Sequence, residues 1–143
     1  MFFFFIFRVV VLFIDLNALL RKNVVIEGAT FQQVLGITAI PFDGIEMTAL
    51  SKALGIDNST CTRLIIRLER KEWVKRISSK KDKRVNIVTL TSKGQIIQKI
   101  LDDQFYMIAS KVEDLFPLSR RETILENLKL FRWNISKVAS NDR

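Results

Sequence analysis

Between Ser59 and Gly94 the chain gathers groups that bind phosphates and base edges. Ser59, Thr60, Thr62 and Arg63 come first, Arg67 and Arg70 follow, and the six residues Ser79 to Arg84 read SKKDKR. This stretch holds 11 Lys or Arg against 3 acids, a net of +8, while the remainder carries 12 of each sign and cancels. A charge excess packed into a quarter of the molecule is the electrostatic footprint of a nucleic-acid reader. The chemistry is binding rather than bond-making. The chain has no His and one Cys, which removes the commonest general base and the commonest metal ligand together. Gly-rich phosphate loops, nucleophile elbows and Cys-x-x-Cys pairs are absent as well. No enzyme activity, metal or cofactor is expected, and one Cys suits a reducing compartment.

The elements that must position these groups follow from local signals. Leu50, Leu54, Ile56, Cys61 and Leu64 are apolar, Ser51 is small, and Gly55 falls between two helical stretches. That is the pattern of a helix-turn-helix, whose helices cross over a short Gly-containing turn. Asp57 or Asn58 caps the second helix. At about 100° per residue, Cys61, Leu64, Ile65 and Leu68 share one side, and Ser59, Arg63, Ile66 and Arg70 lie opposite, with Thr62 and Arg67 on the flanks. The outward face therefore carries hydroxyls and guanidiniums, the groups that reach bases and phosphates in a major groove. Trp73 to Ser78 and Val85 to Leu90 are rich in β-branched residues and read as a hairpin. Its tip is too charged for a core turn, so it forms a wing able to lay Lys83 and Arg84 against phosphates or into a minor groove.

Upstream, Thr30 caps a helix over FQQVLGITAI that stops at Pro41, and Asp43-Gly44 makes a turn. Ile45 to Met47 can form a short strand, and Thr48 caps the helix that ends at Gly55. The first fourteen residues, MFFFFIFRVVVLFI, are apolar except for Arg8. Three readings compete there. A membrane span needs roughly 20 apolar residues, and a signal peptide wants a basic start and a cleavage site. The third is a helix buried on most sides, for which a partner subunit is the natural cover, and it is the reading favoured here. After Gly94, Ile97, Leu101, Phe105, Ile108, Val112 and Leu115 step by three and four, as do Ile124, Leu128, Phe131, Ile135 and Val138. Ser119 to Glu122 reads as a capping box that starts the last helix.

Asp82-x-Arg84, five residues, then Leu90-Thr91-x-x-Gly94 resembles the signature of the MarR family of winged-helix transcriptional regulators. STCTRLIIRLERKEWVKR resembles that family's recognition helix and first wing strand. The resemblance implies a mainly α fold with a small β-hairpin wing: one domain over 1–143, with a DNA-binding lobe at 30–94 and a helical dimerisation lobe from 1–29 and 95–143. It implies a cytoplasmic homodimer that binds double-stranded DNA at a pseudo-palindromic operator, as a ligand-responsive repressor. Asn58, Ser59, Thr60, Thr62, Arg63, Arg67, Arg70, Lys81, Lys83 and Arg84 are the expected DNA contacts. Arg84 is the wing-tip contact by analogy, and Asp82 orients the wing. Family members often take a small aromatic effector between their lobes, though no residue here specifies one. Two positions depart from the pattern: Glu72 stands where the family usually has Gly, and Ile66 replaces a commonly acidic residue. The alternative from another class is a winged-helix module that contacts protein or membrane, with the Phe-rich helix as anchor. Cys61 is read as a small core hydrophobe rather than an oxidant sensor.

Overall fold

Extended backbone at Thr30 and a reciprocal capping box with Gln33 start the second helix of a mainly helical chain. The computed structural model describes residues 2–79 and 84–141. Its elements are α1 (Phe2–Asn23), α2 (Phe31–Thr38), β1 (Ile45–Glu46), α3 (Met47–Leu54), α4 (Asn58–Arg70), β2 (Val74–Ser78), β3 (Asn86–Leu90), α5 (Ser92–Glu113) and α6 (Leu118–Asn141). They fall into two compact units, Met1–Phe105 and Tyr106–Arg143.

In the first unit, Ile37, Ile40, Leu50, Cys61, Ile65, Leu68, Val88 and Leu101 are all but fully buried. They come from α2, the loop after it, α3, α4, β3 and α5, so the core is the meeting point of the helix-turn-helix with the hairpin. The strands form one antiparallel sheet in the order β1-β3-β2. Val74 pairs with Leu90 and Ser78 with Asn86, and a further bond from Ser79 N–H to the Val85 carbonyl closes the described ladder. The short first strand pairs Ile45 with Val88. The winged-helix architecture expected from sequence is present, with a third strand completing the wing's sheet.

Two glutamines of α5 hold the unit together from one side. Gln98 donates from Nε2 to the carbonyls of Ile37 and Ile40, at 3.1 and 2.9 Å, which serves the open C-terminal end of α2. Gln104 accepts from the Val25 N–H at 2.9 Å and donates to the Val25 carbonyl at 3.0 Å, as a neighbouring strand would. Val24 and Ile26, on either side, are buried.

Two local expectations change. α3 begins at Met47, with Glu46 at the N-cap and no side-chain bond there, so Thr48 lies inside the helix. β1 runs directly into α3 and leaves no residue between them for a hydroxyl cap. The last helix begins at Leu118, directly after Pro117, which puts Ser119 in its first turn rather than at its cap. α1 is a helix as expected, and one chain does not bury it, in keeping with a reading that needs a partner subunit as cover. Phe4, Phe5, Ile6, Phe7, Phe13 and Ile14 are each more than half exposed. Among the described residues, no helix is long and apolar enough to cross a membrane.

In the second unit, Arg121 lies 3.6 and 3.4 Å from the carboxylates of Glu113 and Asp114 and donates to the Phe116 carbonyl at 3.3 Å, bracing the turn into α6. Leu128, Trp133, Ile135 and Val138 of α6 are exposed.

Candidate nucleic-acid interface

Gly55 takes the left-handed conformation (φ 64°, ψ 34°) that ends α3 and turns the chain toward α4. Asp57 then adopts extended backbone and caps α4, accepting from the Thr60 N–H at 2.9 Å. The same carboxylate accepts from the hydroxyls of Ser59 and Thr60, at 2.5 and 2.6 Å. The Ser59 hydroxyl bond, followed by those from Thr60, holds the Asp57 carboxyl well below the usual carboxylate range. Asn58 Oδ1 lies 2.7 Å from the Ser51 hydroxyl, tying the first residue of α4 to α3, where Ser51 is buried. Thr62 turns its hydroxyl back to the Asn58 carbonyl at 2.8 Å.

The polar groups at the front of α4 are thus engaged within the protein. Their oxygens keep acceptor capacity, but their orientation is set by the cap. Arg63, Arg67 and Arg70 differ: all three are exposed, Arg63 and Arg70 on the side opposite the buried Cys61, Leu64, Ile65 and Leu68, and Arg67 on the flank. Ile66 lies half-buried among them. Arg84 is exposed, in the turn two residues before β3 begins. Lys81, Asp82 and Lys83 lie outside the described residues. Cys61 points into the crossing of α3 and α4, with Sγ 3.9 Å from the Met47 carbonyl, and burial pushes its thiol pKa up.

The exit from α4 explains both the departure at position 72 and the Leu-Thr-x-x-Gly sequence. Glu72 has φ 61°, the one positive value outside glycine among the described residues, and this bend delivers the chain into β2. Thr91 donates its hydroxyl proton to the Glu72 carbonyl at 2.5 Å and accepts from the Gly94 N–H at 3.0 Å, which caps α5. One threonine therefore joins the start of the wing to the start of the following helix.

A contact missed from sequence links helix and wing directly. Arg76 of β2 donates from Nε and Nη2 to the two carboxylate oxygens of Glu69 on α4, at 3.0 and 2.8 Å. The hydrogen bonds that Arg76 donates to Glu69 hold its pKa above its ordinary value. The two residues sit on different elements with a chain reversal between them, so periodicity within either element does not mark the pair.

A family model described as "MarR family" matches residues 42–85, from the turn before β1 to the start of β3. The HTH-type transcriptional regulator SarZ of Staphylococcus epidermidis is 30% identical over 107 residues, which cover 73% of this chain and 70% of SarZ. Two solved structures share the fold. Streptococcus pneumoniae FabT in complex with DNA aligns with a TM-score of 0.72 at 20% identity, over 94% of this chain and 99% of that one. The PcaV transcriptional regulator from Streptomyces coelicolor, in complex with its natural ligand, aligns with a TM-score of 0.63 at 16% identity, over 85% and 86%. With the capped α4, the hairpin joined to it and a relative of this extent, the chain belongs to the MarR family of DNA-binding transcriptional regulators.

Proposed function

We propose that this regulator reads a pseudo-palindromic operator as a homodimer, with α4 in the major groove and the wing against the adjacent minor groove. The observation that carries the reading is the set of exposed guanidiniums at Arg63, Arg67 and Arg70, on the face and flank of a capped helix away from its buried side. Arg63 lies nearest the N-terminal end and reads a base edge, while Arg67 and Arg70 hold phosphates. Asn58, Ser59, Thr60 and Thr62 present their oxygens at the entry of the same helix. Lys81, Lys83 and Arg84 supply the wing's cations, and Asp82 orients the wing. The homodimer is supported by the exposed apolar side chains of α1 and α6, which a partner of the same sequence would cover. PcaV, which shares the fold, has been solved in complex with its natural ligand; in this protein a small effector would release the DNA, which makes it a ligand-responsive repressor of the cytoplasm.

The test compares Arg63→Ala with Arg84→Ala on two duplexes, one enriched by the wild type from a randomised library and one scrambled. Bidentate contact of Arg with guanine discriminates by about 1–3 kcal/mol, so Arg63→Ala weakens the enriched duplex more than the scrambled one. Arg84→Ala lowers both by similar factors and makes the log–log salt slope shallower by roughly 2 per dimer. Equal losses for both variants on both duplexes would reduce Arg63 to a phosphate contact.

A further inference from the structure

α4 carries three guanidiniums, yet it also carries a carboxylate at Glu69, next to Arg70 and two positions after Arg67. A carboxylate on a DNA-facing element opposes phosphate binding by like-charge repulsion. The structure shows how this one is directed. Alternate residues of a strand share a face, and Arg76 shares its face with Val74, which is buried in the core. That face turns toward α4. The guanidinium at position 76 closes the edge of the core and takes up both Glu69 oxygens in a parallel, two-bond arrangement.

We propose that Glu69 and Arg76 are positioning residues for DNA reading: their paired hydrogen bonds lock the base of the wing against the recognition helix, so that the two engage the duplex at one fixed angle. The inference rests on the reading of α4 and the wing as the DNA-contacting elements. The pair is suited to this by its place. Glu69 is one residue from the end of α4, and Arg76 is two from the end of β2, where the hairpin leaves for its tip. Between them the chain reverses through the left-handed bend at Glu72. A two-bond pair restricts rotation about this bend in a way that a single contact does not. Their side chains are 27% and 37% exposed, and pairs so exposed add little to folding stability. The angle is what they hold.

The experiment uses the full chain, the duplex enriched by the wild type and a scrambled duplex of equal length. The variants are Glu69→Gln, Arg76→Gln and the exchange Glu69→Arg with Arg76→Glu. Charge alone predicts that Glu69→Gln binds both duplexes more tightly, because a negative group is gone. Positioning predicts opposite signs: equal or tighter binding of the scrambled duplex, but about fivefold weaker binding of the enriched one. Arg76→Gln lowers the preference for the enriched duplex by a similar factor. The exchange restores that preference to within about twofold, because the pair is rebuilt with its ends reversed. Thermal melts followed by circular dichroism set the assay temperature below every transition. Parallel changes on both duplexes, or an exchange that stays as unselective as the single variants, overturn the proposal. Enrichment of a duplex by the wild type tests the underlying reading separately, since only the ratio among variants bears on the pair.

Discussion

Gly94 passes so close to the carbonyl of Trp73 that a methyl group at position 94 would overlap that oxygen. The same carbonyl accepts the Thr91 N–H at 3.0 Å, so it cannot move aside without loosening the joint between β2 and α5. Gly94→Ala should therefore cost about 3 kcal/mol, more than helix propensity alone would return. Urea denaturation followed by circular dichroism checks this. A loss below about 1 kcal/mol would show that the backbone accommodates the methyl.

Glu72 lies in the left-handed region at φ 61°, where a side chain costs roughly 1–2 kcal/mol. Its carbonyl bond with Thr91 belongs to the backbone and survives substitution. Its ion pair with Lys93, 3.4 Å long and open to solvent, contributes little. Glu72→Gly should raise stability by roughly 0.5–1 kcal/mol, the relief of strain less the extra freedom of glycine when unfolded. A lower urea midpoint for this variant would refute the account.

Asp57 caps α4 through a carboxylate whose pKa is depressed in the folded chain. A depressed value means that its stabilisation is fully present above the unfolded value, about 3.9, and is lost as pH falls through the lower folded value. Asp57→Ala should lower the melting temperature at neutral pH, and the gap from wild type should narrow below about pH 4. A gap that stays constant from pH 7 to pH 2 would mean the charge is not involved.

Cys61 is fully buried with its thiol pKa raised, so little thiolate exists at neutral pH. The native protein should resist iodoacetamide that modifies the denatured chain readily. Cys61→Ser should cost about 1–2 kcal/mol, because a hydroxyl enters an apolar crossing. Oxidant-induced release of DNA by wild type, absent in the serine variant, would reverse this assignment.

The exposed phenylalanines of α1 bear on assembly. Replacing residues 1–14 by a single Met should convert the proposed dimer to monomer or aggregate by removing part of its apolar cover. A soluble dimer of the truncated chain by light scattering would place the interface elsewhere.

The helix-turn-helix was legible because its punctuation is chemical: Thr30, Gly55 and Asp57 each perform the local task that their residue type suggests. The buried positions on α4 followed from spacing for the same reason, since one helix has one apolar side. What spacing does not reveal is competition for hydrogen bonds. Ser59 and Thr60 fall on or near the outward face by angle, yet both hydroxyls bond Asp57. Thr48 looked like a cap because a strand that runs straight into a helix leaves no sequence mark. Glu69 with Arg76 is a contact between two elements, and a single sequence carries periodicity within elements only. The left-handed bend at Glu72 was visible only as a departure from the family's glycine.

Gln98 and Gln104 grip main-chain atoms of Ile37, Ile40 and Val25, not their side chains. Every residue type except proline offers the same N–H and carbonyl at those points. The residues so held are therefore replaceable over evolutionary time without loss of the clamp, whereas the two glutamines are not. Ile37 and Ile40 are kept by their burial alone, so what fills the core there and what grips the backbone can change independently.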